Sequence, residues 1–229
     1  MIATRAEALQ APAYFGGTFD PPHLGHREAV LGLRENPGLQ EIILLPSGTP
    51  PFKAHATPAP HRVRMLELLF EGLPPLRIDR REIARAQARP GTPTTTFETL
   101  EELRQERGRS VSLIIGTDQL ADLPRWSRFP ELLGLAHWWV LERQADASPW
   151  RETLQRMQSQ GILKPVSDRA WSTPSGTRLE LIPTRARPFT STRIREEIAR
   201  SALPPKEAIP PKLWEYIKNQ GLYGLVAKC

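Results

Sequence analysis

Short apolar runs that alternate with helix-like segments limit the folds open to this chain more than any other feature. The runs have strand length and occupy residues 12–15, 41–45, 76–78, 110–115, 137–142 and 178–182. Amphipathic patterns of helix length lie between or after them, at residues 24–34, 61–71, 95–107, 150–160, 190–200 and 210–223. Because strand, loop and helix repeat at this spacing, the sequence predicts an α/β fold: a Rossmann-like, doubly wound parallel sheet with helices on both faces.

The length and composition predict one domain. A chain of 229 residues, 39% of them hydrophobic, can bury one sizeable core. We therefore expect a single domain over residues 1–229, with a small C-terminal helical part from about residue 190. The 24 prolines and 15 glycines fall short of the share typical of disorder. Residues 145–177 have the weakest pattern: we expect 164–176 to be a loop, in an insertion or a flap.

Charge and cysteine content narrow the partners and the compartment. A net charge of +6 favours polyanions, whether nucleic acid, a membrane surface or phosphorylated metabolites. The one cysteine, Cys229, excludes an intrachain disulfide and a cysteine-rich metal site. No run of 18 apolar residues and no signal-like N-terminus are present, so we expect neither a membrane span nor export. A reducing cytoplasm is the expected compartment.

Residues 16–26, which follow the first apolar run, are predicted to bind phosphate. Gly16 and Gly17 would let a phosphate chain come close to the backbone. Asp20 is a candidate N-cap for the helix that follows, and a helix start supplies unpaired N–H groups and a favourable dipole. Ligands bind beyond the carboxyl ends of the strands in doubly wound sheets, and this segment lies at such an end.

Two histidines complete this segment. His23 and His26 are three residues apart and would share one face of the first helical turn. The plain alternative is a pair of surface histidines that cap a helix. A metal site made by the pair alone is disfavoured, because the glutamate and the third ligand of the usual zinc arrangement are missing.

The segment Gly-Gly-Thr-Phe-Asp-Pro-x-His-x-Gly-His resembles the signature of the nucleotidylyltransferase superfamily. That resemblance implies that His23 and His26 contact the phosphates of a nucleoside triphosphate and stabilise charge as its α-phosphate is attacked. It also implies a phosphate-binding role for the residues before them, which are Gly16, Gly17, Thr18 and Phe19.

A second segment, Phe-Thr-Ser-Thr-Arg-Ile-Arg at residues 189–195, resembles the Ile-Ser-Ser-Thr-x-Ile-Arg motif of adenylyltransferases in that superfamily. The resemblance implies that Arg195 binds the leaving pyrophosphate, for which its fork of donors is suited. It implies that hydroxyls and amides at the helix start bind phosphate oxygens, namely those of Thr190, Ser191 and Thr192. Ordinary helix capping is the alternative.

Further matches resemble the bacterial nicotinate-nucleotide adenylyltransferases. Gly116-Thr117-Asp118 with Trp126 is similar to a Gly-x-Asp…Trp segment, which implies that Gly116 and Asp118 bind the adenosine and that Trp126 lies against the pyridine ring. A Thr-x-x-Thr-Leu match implies that Thr96 meets the nicotinate carboxylate. The alternatives are helix capping by Asp118 or Thr96 and core packing of Trp126.

A proline-rich loop resembles the Pro-Pro-His-Lys segment of that family. Here it reads Pro-Pro-Phe-Lys, so Phe52 stands where a histidine is usual and a third imidazole is missing. Lys53 remains a candidate phosphate contact, with a solvated surface lysine as the alternative.

The activity implied by the resemblance is transfer of AMP from ATP to nicotinate mononucleotide, giving deamido-NAD and pyrophosphate in NAD biosynthesis. Both nucleotides are the expected partners, with Mg²⁺ accompanying ATP and with neither nucleic acid nor membrane bound. No covalent nucleophile is needed, and no Gly-x-Ser-x-Gly elbow occurs. Monomer and homodimer both stay open.

Other functions remain as alternatives. The acceptor could be nicotinamide mononucleotide or another phosphorylated compound such as phosphopantetheine. The His-x-Gly-His element also resembles that of class I aminoacyl-tRNA synthetases, but no Lys-Met-Ser-Lys-Ser-like segment follows. A non-catalytic nucleotide sensor is the last alternative.

Overall fold

A computed structural model describes residues 4–36, 39, 41–50, 56–74, 76–107, 111–142 and 148–227. The described residues form one eight-stranded sheet in the order β3-β2-β1-β4-β5-β8-β7-β6. The strands are β1 Ala13–Gly17, β2 Ile42–Pro46, β3 Arg77–Ile78, β4 Val111–Gly116, β5 Ala136–Glu142, β6 Lys164–Ser167, β7 Ala170–Ser172 and β8 Arg178–Pro183. The strands β3, β2, β1, β4, β5 and β8 pair in parallel with their neighbours in this order. The strand β7 pairs antiparallel with both β8 and β6. The predicted α/β class is confirmed.

Helices connect and follow these strands. They are α1 Arg5–Gln10, α2 Leu24–Arg34, α3 Ala59–Leu69, α4 Arg81–Ala88, α5 Thr96–Arg107, α6 Thr117–Asp122, α7 Ser148–Ser159, α8 Ser191–Ser201 and α9 Pro211–Asn219. Short 3₁₀ turns lie at Leu123–Arg125, Glu131–Leu135 and Leu222–Gly224. Among the helices in the described ranges, none is long and apolar enough to cross a membrane.

The sheet is buried on both faces because helices cover each of them, and successive side chains of a strand enter opposite core clusters. Tyr14 and Leu113 belong to one core cluster, with α5, α6 and α7 packed over them. Phe15 and Ile114 belong to the other, which α2, α3, α8 and α9 cover. Central strands covered on both faces need no apolar–polar alternation, which is why the apolar runs predicted them well.

The C-terminal helices share the core of the sheet. Ile194 and Ile198 of α8 and Leu213 and Ile217 of α9 are all buried, and they pack in the same cluster as Phe15 of β1. This helical part is therefore attached to one face of the sheet through apolar contacts.

The prediction of a loop over residues 164–176 is wrong, because β6 and β7 extend the sheet there. β6 is fully exposed along its length, so its sequence has no apolar alternation, and Pro165 lies within it. Its strand state comes from pairing with β7, where Trp171 opposes Pro165 and is buried. Strand propensity depends on such tertiary context, which a local pattern does not contain.

Two polar helices, α1 and α4, were also absent from the sequence prediction. A local signal for α1 does exist: Thr4 and Glu7 form a reciprocal capping box around its first turn. The other helix, α4, is too polar for its short buried stripe to be evident in the sequence.

His137 of β5 is a buried titratable group close enough to Glu7 of α1 for their charges to interact. It is 3% exposed, and its Nδ1 accepts a hydrogen bond from the Arg178 N–H at 3.2 Å. Burial lowers the pKa of His137, and Arg178 adds to this, while Glu7 of α1 partly opposes the change. The folded chain therefore favours the neutral ring.

We predict that the free energy of unfolding falls as the pH drops below about 6.5, because the unfolded chain takes up a proton on His137 there and the folded chain does so only at lower pH. The slope from this group is at most about 1.4 kcal/mol per pH unit. Urea unfolding at about pH 7.5 and about pH 5.5 measures it. His137→Gln should show a shallower dependence, and an unchanged dependence in that variant would contradict the assignment.

Candidate active site

A cavity of about 500 Å³ opens at the carboxyl ends of β1, β2 and β4. Its wall combines the segment after β1, the residue Ser47 after β2, the start of α5, part of α6 and the start of α8. Segments that are far apart in the sequence thus meet at one edge of the sheet, as expected for a doubly wound fold.

Most of the residues singled out in the sequence border this cavity. They are Gly16, Gly17, Thr18, Phe19, His23, His26, Thr96, Asp118, Trp126, Thr190, Ser191 and Thr192. Gly116 lies just outside as the N-cap of α6. Arg195 also lies outside: it donates from Nη1 to the Asp20 carbonyl at 2.7 Å and from Nη2 to Thr192 Oγ1 at 3.4 Å. Phe52 and Lys53 are outside the described residues.

The two histidines form a stacked pair at the start of α2. His23 is 1% exposed and His26 is 9% exposed, with ring centroids 3.7 Å apart. The alternative of two surface histidines that cap a helix is wrong about the surface, because both rings are buried, and right about the capping, because His23 is the N-cap of α2. The His23 N–H donates to His26 Nδ1 at 3.2 Å, so in the neutral His26 ring the proton is on Nε2. The edge of Phe19 supports His26, with centroids 5.1 Å apart.

The prediction that Asp20 caps this helix is wrong, because α2 begins at Leu24 with His23 as its N-cap. Asp20 instead joins distant parts of the chain. Its Oδ2 accepts from the Thr57 N–H at 3.0 Å and its Oδ1 accepts from the Tyr223 hydroxyl at 2.7 Å. Burial and the Asp20 carboxylate raise the pKa of Tyr223, so this hydroxyl keeps its proton and donates.

Close approach explains two glycines of the segment. A Cβ on Gly25 would lie 2.7 Å from the Arg187 carbonyl oxygen, which is too short for an unstrained contact. A Cβ on Gly17 would lie 3.0 Å from the Phe19 ring. Only glycine therefore fits at Gly25, where the neighbour is backbone, whereas a side chain at Gly17 would require the Phe19 ring to shift slightly.

The start of α8 reaches the cavity from the other end of the chain. Its N-cap is Thr190, whose Oγ1 accepts from the Arg193 N–H at 3.2 Å, so the capping alternative holds for that hydroxyl. Ser191 Oγ donates to the Pro21 carbonyl at 2.9 Å. Together with the bond from Arg195 to Asp20, this contact fixes the helix start against the residues 16–26.

The opposite end of the cavity is formed by α5, α6 and the turn at Trp126. Thr95, rather than Thr96, caps α5, because its Oγ1 accepts from the Glu98 N–H at 3.3 Å. Asp118 lies in the first turn of α6 and is exposed on the cavity, so it is not the cap. Trp126 borders the cavity and also packs against Trp138, with ring centroids 6.3 Å apart.

Sequence reasoning assigned no role to Arg62, which is central to the site. It is 1% exposed and donates to the carbonyl oxygens of Thr18 at 2.9 Å, Ser47 at 2.7 Å and Thr57 at 2.8 Å. Burial lowers the pKa of Arg62, while Asp20 opposes that effect. One side chain thus joins the loops after β1 and β2 to the start of α3. The sequence contains only an arginine within a helical pattern, with no signal for its partners.

Sequence reasoning also missed polar residues in the cavity wall. They are Ser47, Glu82, Thr94, Gln119, Asp122, Arg125 and Ser127. Their positions follow from the packing of α4, α5 and the 3₁₀ turns, so no motif in the sequence indicated them.

Fold and site together define a nucleotidyltransferase of the cytidylyltransferase-like class, and the model of the "Cytidylyltransferase-like" family matches residues 14–197. Two relatives are each named "Probable nicotinate-nucleotide adenylyltransferase". The one from Pectobacterium atrosepticum is 35% identical over 218 residues, covering 92% of this chain and 97% of the relative. The one from Cellvibrio japonicus is 36% identical over 212 residues, covering 91% and 96%. The chain belongs to the nicotinate-nucleotide adenylyltransferase family.

A solved structure supports the fold independently. It is "Plasmodium falciparum nicotinic acid mononucleotide adenylyltransferase complexed with NaAD", with a TM-score of 0.71 over 95% of this chain and 98% of that chain. At 16% identity, the likeness establishes the common fold.

We predict that Tyr223→Phe lowers the free energy of unfolding by about 1.5–3 kcal/mol, because the buried Asp20 carboxylate loses a donor. Tyr216→Phe is the matched control: its hydroxyl lies 2.8 Å from His61 Nδ1, and neither residue lines the cavity. Loss of that contact, which involves no carboxylate, should cost only about 0.5–1.5 kcal/mol. Chemical unfolding of both variants measures the difference, and equal losses would contradict the role given to Asp20.

Proposed function

We propose that the protein transfers AMP from ATP to nicotinate mononucleotide, forming deamido-NAD and pyrophosphate in NAD biosynthesis. The observation that carries this proposal is the shared cavity: the histidine pair and the start of α8 border the same space as Thr96, Asp118 and Trp126. A donor nucleotide and an acceptor nucleotide can then meet in one site. The names of the relatives support the same reaction.

The chemistry needs two anions held in line. A phosphate oxygen of nicotinate mononucleotide attacks the α-phosphorus of ATP, a new P–O bond forms, and the bond to the β-phosphate oxygen breaks, so that pyrophosphate leaves. Alignment of this kind contributes up to about 7–11 kcal/mol in favourable cases. Donors aimed at the developing charge supply the rest of the stabilisation, with no covalent intermediate.

We assign the triphosphate of ATP to residues 16–26 and to the start of α8. Residues 16–19 offer backbone N–H groups at the end of β1, and the start of α8 adds a helix dipole directed at the cavity. His26 can donate from Nε2, because its Nδ1 is already an acceptor. Lys53 and Arg195 are assigned to the leaving pyrophosphate; Arg195 would have to turn from the Asp20 carbonyl to reach it.

We assign the nucleosides to the opposite wall. Asp118 is exposed on the cavity and can accept both hydroxyls of the adenosine ribose, with Gly116 shaping the backbone before it. Trp126 offers an aromatic face to the pyridine ring. The start of α5 at Thr96 offers N–H groups to the nicotinate carboxylate.

We propose that Mg²⁺ enters with ATP, held by triphosphate oxygens and water. Mg²⁺ keeps several waters and binds through substrate phosphates in many such sites. The donor set fits this role, because the described residues contain no group of three or more His, Cys, Asp or Glu side chains that could hold a metal. We further propose that residues 1–229 act as one domain, which is supported by the core that α8 and α9 share with the sheet. The compartment that we propose for it is the cytoplasm.

We predict that kcat/KM is at least about tenfold higher for nicotinate mononucleotide than for nicotinamide mononucleotide, because N–H groups at a helix start favour a carboxylate over an amide. Pyrophosphate release with a panel of phosphorylated acceptors measures this preference. A preference for the amide would overturn the substrate assignment, and release with neither nucleotide would overturn the reaction.

We predict that His26→Ala lowers kcat by about 100- to 1,000-fold, the range expected for loss of one donor to the transition state. His26→Asn is the sharper variant, since its amide oxygen can still accept from the His23 N–H while Nε2 is lost. His61→Ala, outside the cavity wall, is the control and should keep its activity. Undiminished turnover in His26→Asn, with thermal unfolding unchanged, would remove the proposed mechanism.

A further inference from the structure

Glu82 is a buried carboxylate in the cavity wall that belongs to neither phosphate-binding segment. It lies in the first turn of α4 and is 6% exposed. Its Oε1 accepts from Thr99 Oγ1 at 2.8 Å, and its Oε2 lies 3.5 Å from Thr94 Oγ1. Burial raises the pKa of this carboxyl, whereas the Thr99 hydrogen bond and Arg85 oppose that rise. A carboxylate is costly to bury, so its partners indicate a specific role.

The loop after β2 lies directly on the helix that carries Glu82. A Cβ on Gly48 would come within 2.1 Å of the Glu82 carbonyl oxygen, so the contact requires glycine. The Gly48 backbone also lowers the pKa of the Glu82 carboxyl, against the larger effect of burial. On its other side, Gly48 and its neighbour Ser47 present their carbonyl oxygens to Arg62, at 3.2 and 2.7 Å. The loop therefore packs against the Glu82 backbone on one side and is bonded to the buried Arg62 side chain on the other.

The same carboxylate reaches the start of α5. Thr94 is bonded to Thr49 in both directions: its N–H donates to the Thr49 carbonyl at 3.0 Å, and its Oγ1 accepts from the Thr49 N–H at 3.2 Å. Thr99, one turn into α5, accepts from Arg85 Nη1 at 3.0 Å and donates to Glu82. Glu82 is thus the point where the loop after β2, α4 and the start of α5 meet.

We infer that Glu82 is a positioning residue for the acceptor nucleotide: by bonding to both Thr94 and Thr99, beside the point where Gly48 packs on its backbone, it determines where the start of α5 stands in the cavity wall. The inference rests on the proposed function, in which Thr96 meets the nicotinate end of the acceptor. The phosphate-binding segments at 16–26 and 190–192 depend on Arg62, Asp20 and their own contacts, so ATP binding should respond less.

The test is a comparison of Glu82→Gln with Glu102→Gln. Gln keeps the shape of Glu82 but turns an N–H group toward donors that need an acceptor. We expect the KM for nicotinate mononucleotide to rise about tenfold, with the KM for ATP within about twofold of the wild type. Glu102 is the matched control, because it also pairs with Arg85, at 2.5 Å, without bonding to Gly48 or Thr94; its variant should leave both KM values within about twofold.

A second pair of variants applies if Glu82→Gln does not fold. Thr99→Val removes the hydroxyl that joins Glu82 to α5 and should also raise the acceptor KM selectively. Thr99→Ser retains that hydroxyl and should restore the wild-type value. A role confined to stability would instead lower the melting temperature of Thr99→Val without separating the two KM values.

The outcomes separate failure of the role given to Glu82 from failure of the proposed function. If the wild type releases pyrophosphate with nicotinate mononucleotide and the Glu82 and Thr99 variants raise both KM values equally, or neither, the inference is overturned and the proposed function stands. If the wild type itself fails with this acceptor, the proposed function is overturned first.

Discussion

The hydrogen bonds of the buried Arg62 guanidinium hold in place the loops that border the cavity. The guanidinium bonds to carbonyl oxygens from two loops: that of Thr18 after β1, and those of Ser47 and Thr57 near the two ends of the connection from β2 to α3. Loops at the ends of parallel strands have no ladder partners there, so their backbone groups need side chains or water. Arginine meets that need with several donors in a rigid fork, and it keeps its charge even where burial lowers its pKa. The result is that one buried side chain holds the backbone at this end of the cavity.

Asp20 complements this cation and connects the site to the end of the chain. Its side chain and its carbonyl oxygen accept from Thr57, Tyr223 and Arg195. At the carboxyl end of β1, residues 16–26 therefore meet three other segments of the chain. Such an arrangement suits a reaction whose barrier is lowered by alignment, because side chains from several segments hold the backbone that borders the cavity.

The two ends of the cavity are stabilised by two buried side chains of opposite chemical type. Arg62 gathers carbonyl oxygens near residues 16–19, and Glu82 gathers hydroxyls near the start of α5. Ser47 and Gly48 lie between the two, since Arg62 binds their carbonyl oxygens while Gly48 packs on the Glu82 backbone. Each end of the cavity wall thus has its own set of side-chain bonds.

The sequence by itself determined the parallel α/β class, the positions of the inner strands and the segment at 16–26 that borders the cavity. These features are local, since a buried strand, paired glycines and a helix start are contiguous in the chain. Only the tertiary structure decided that His23 rather than Asp20 caps α2, that residues 164–167 form a strand, and what Arg62 and Glu82 do. The reason is distance along the chain: Asp20 and Tyr223 are 203 positions apart, and bonds from a side chain to remote backbone groups leave no periodic pattern in a sequence.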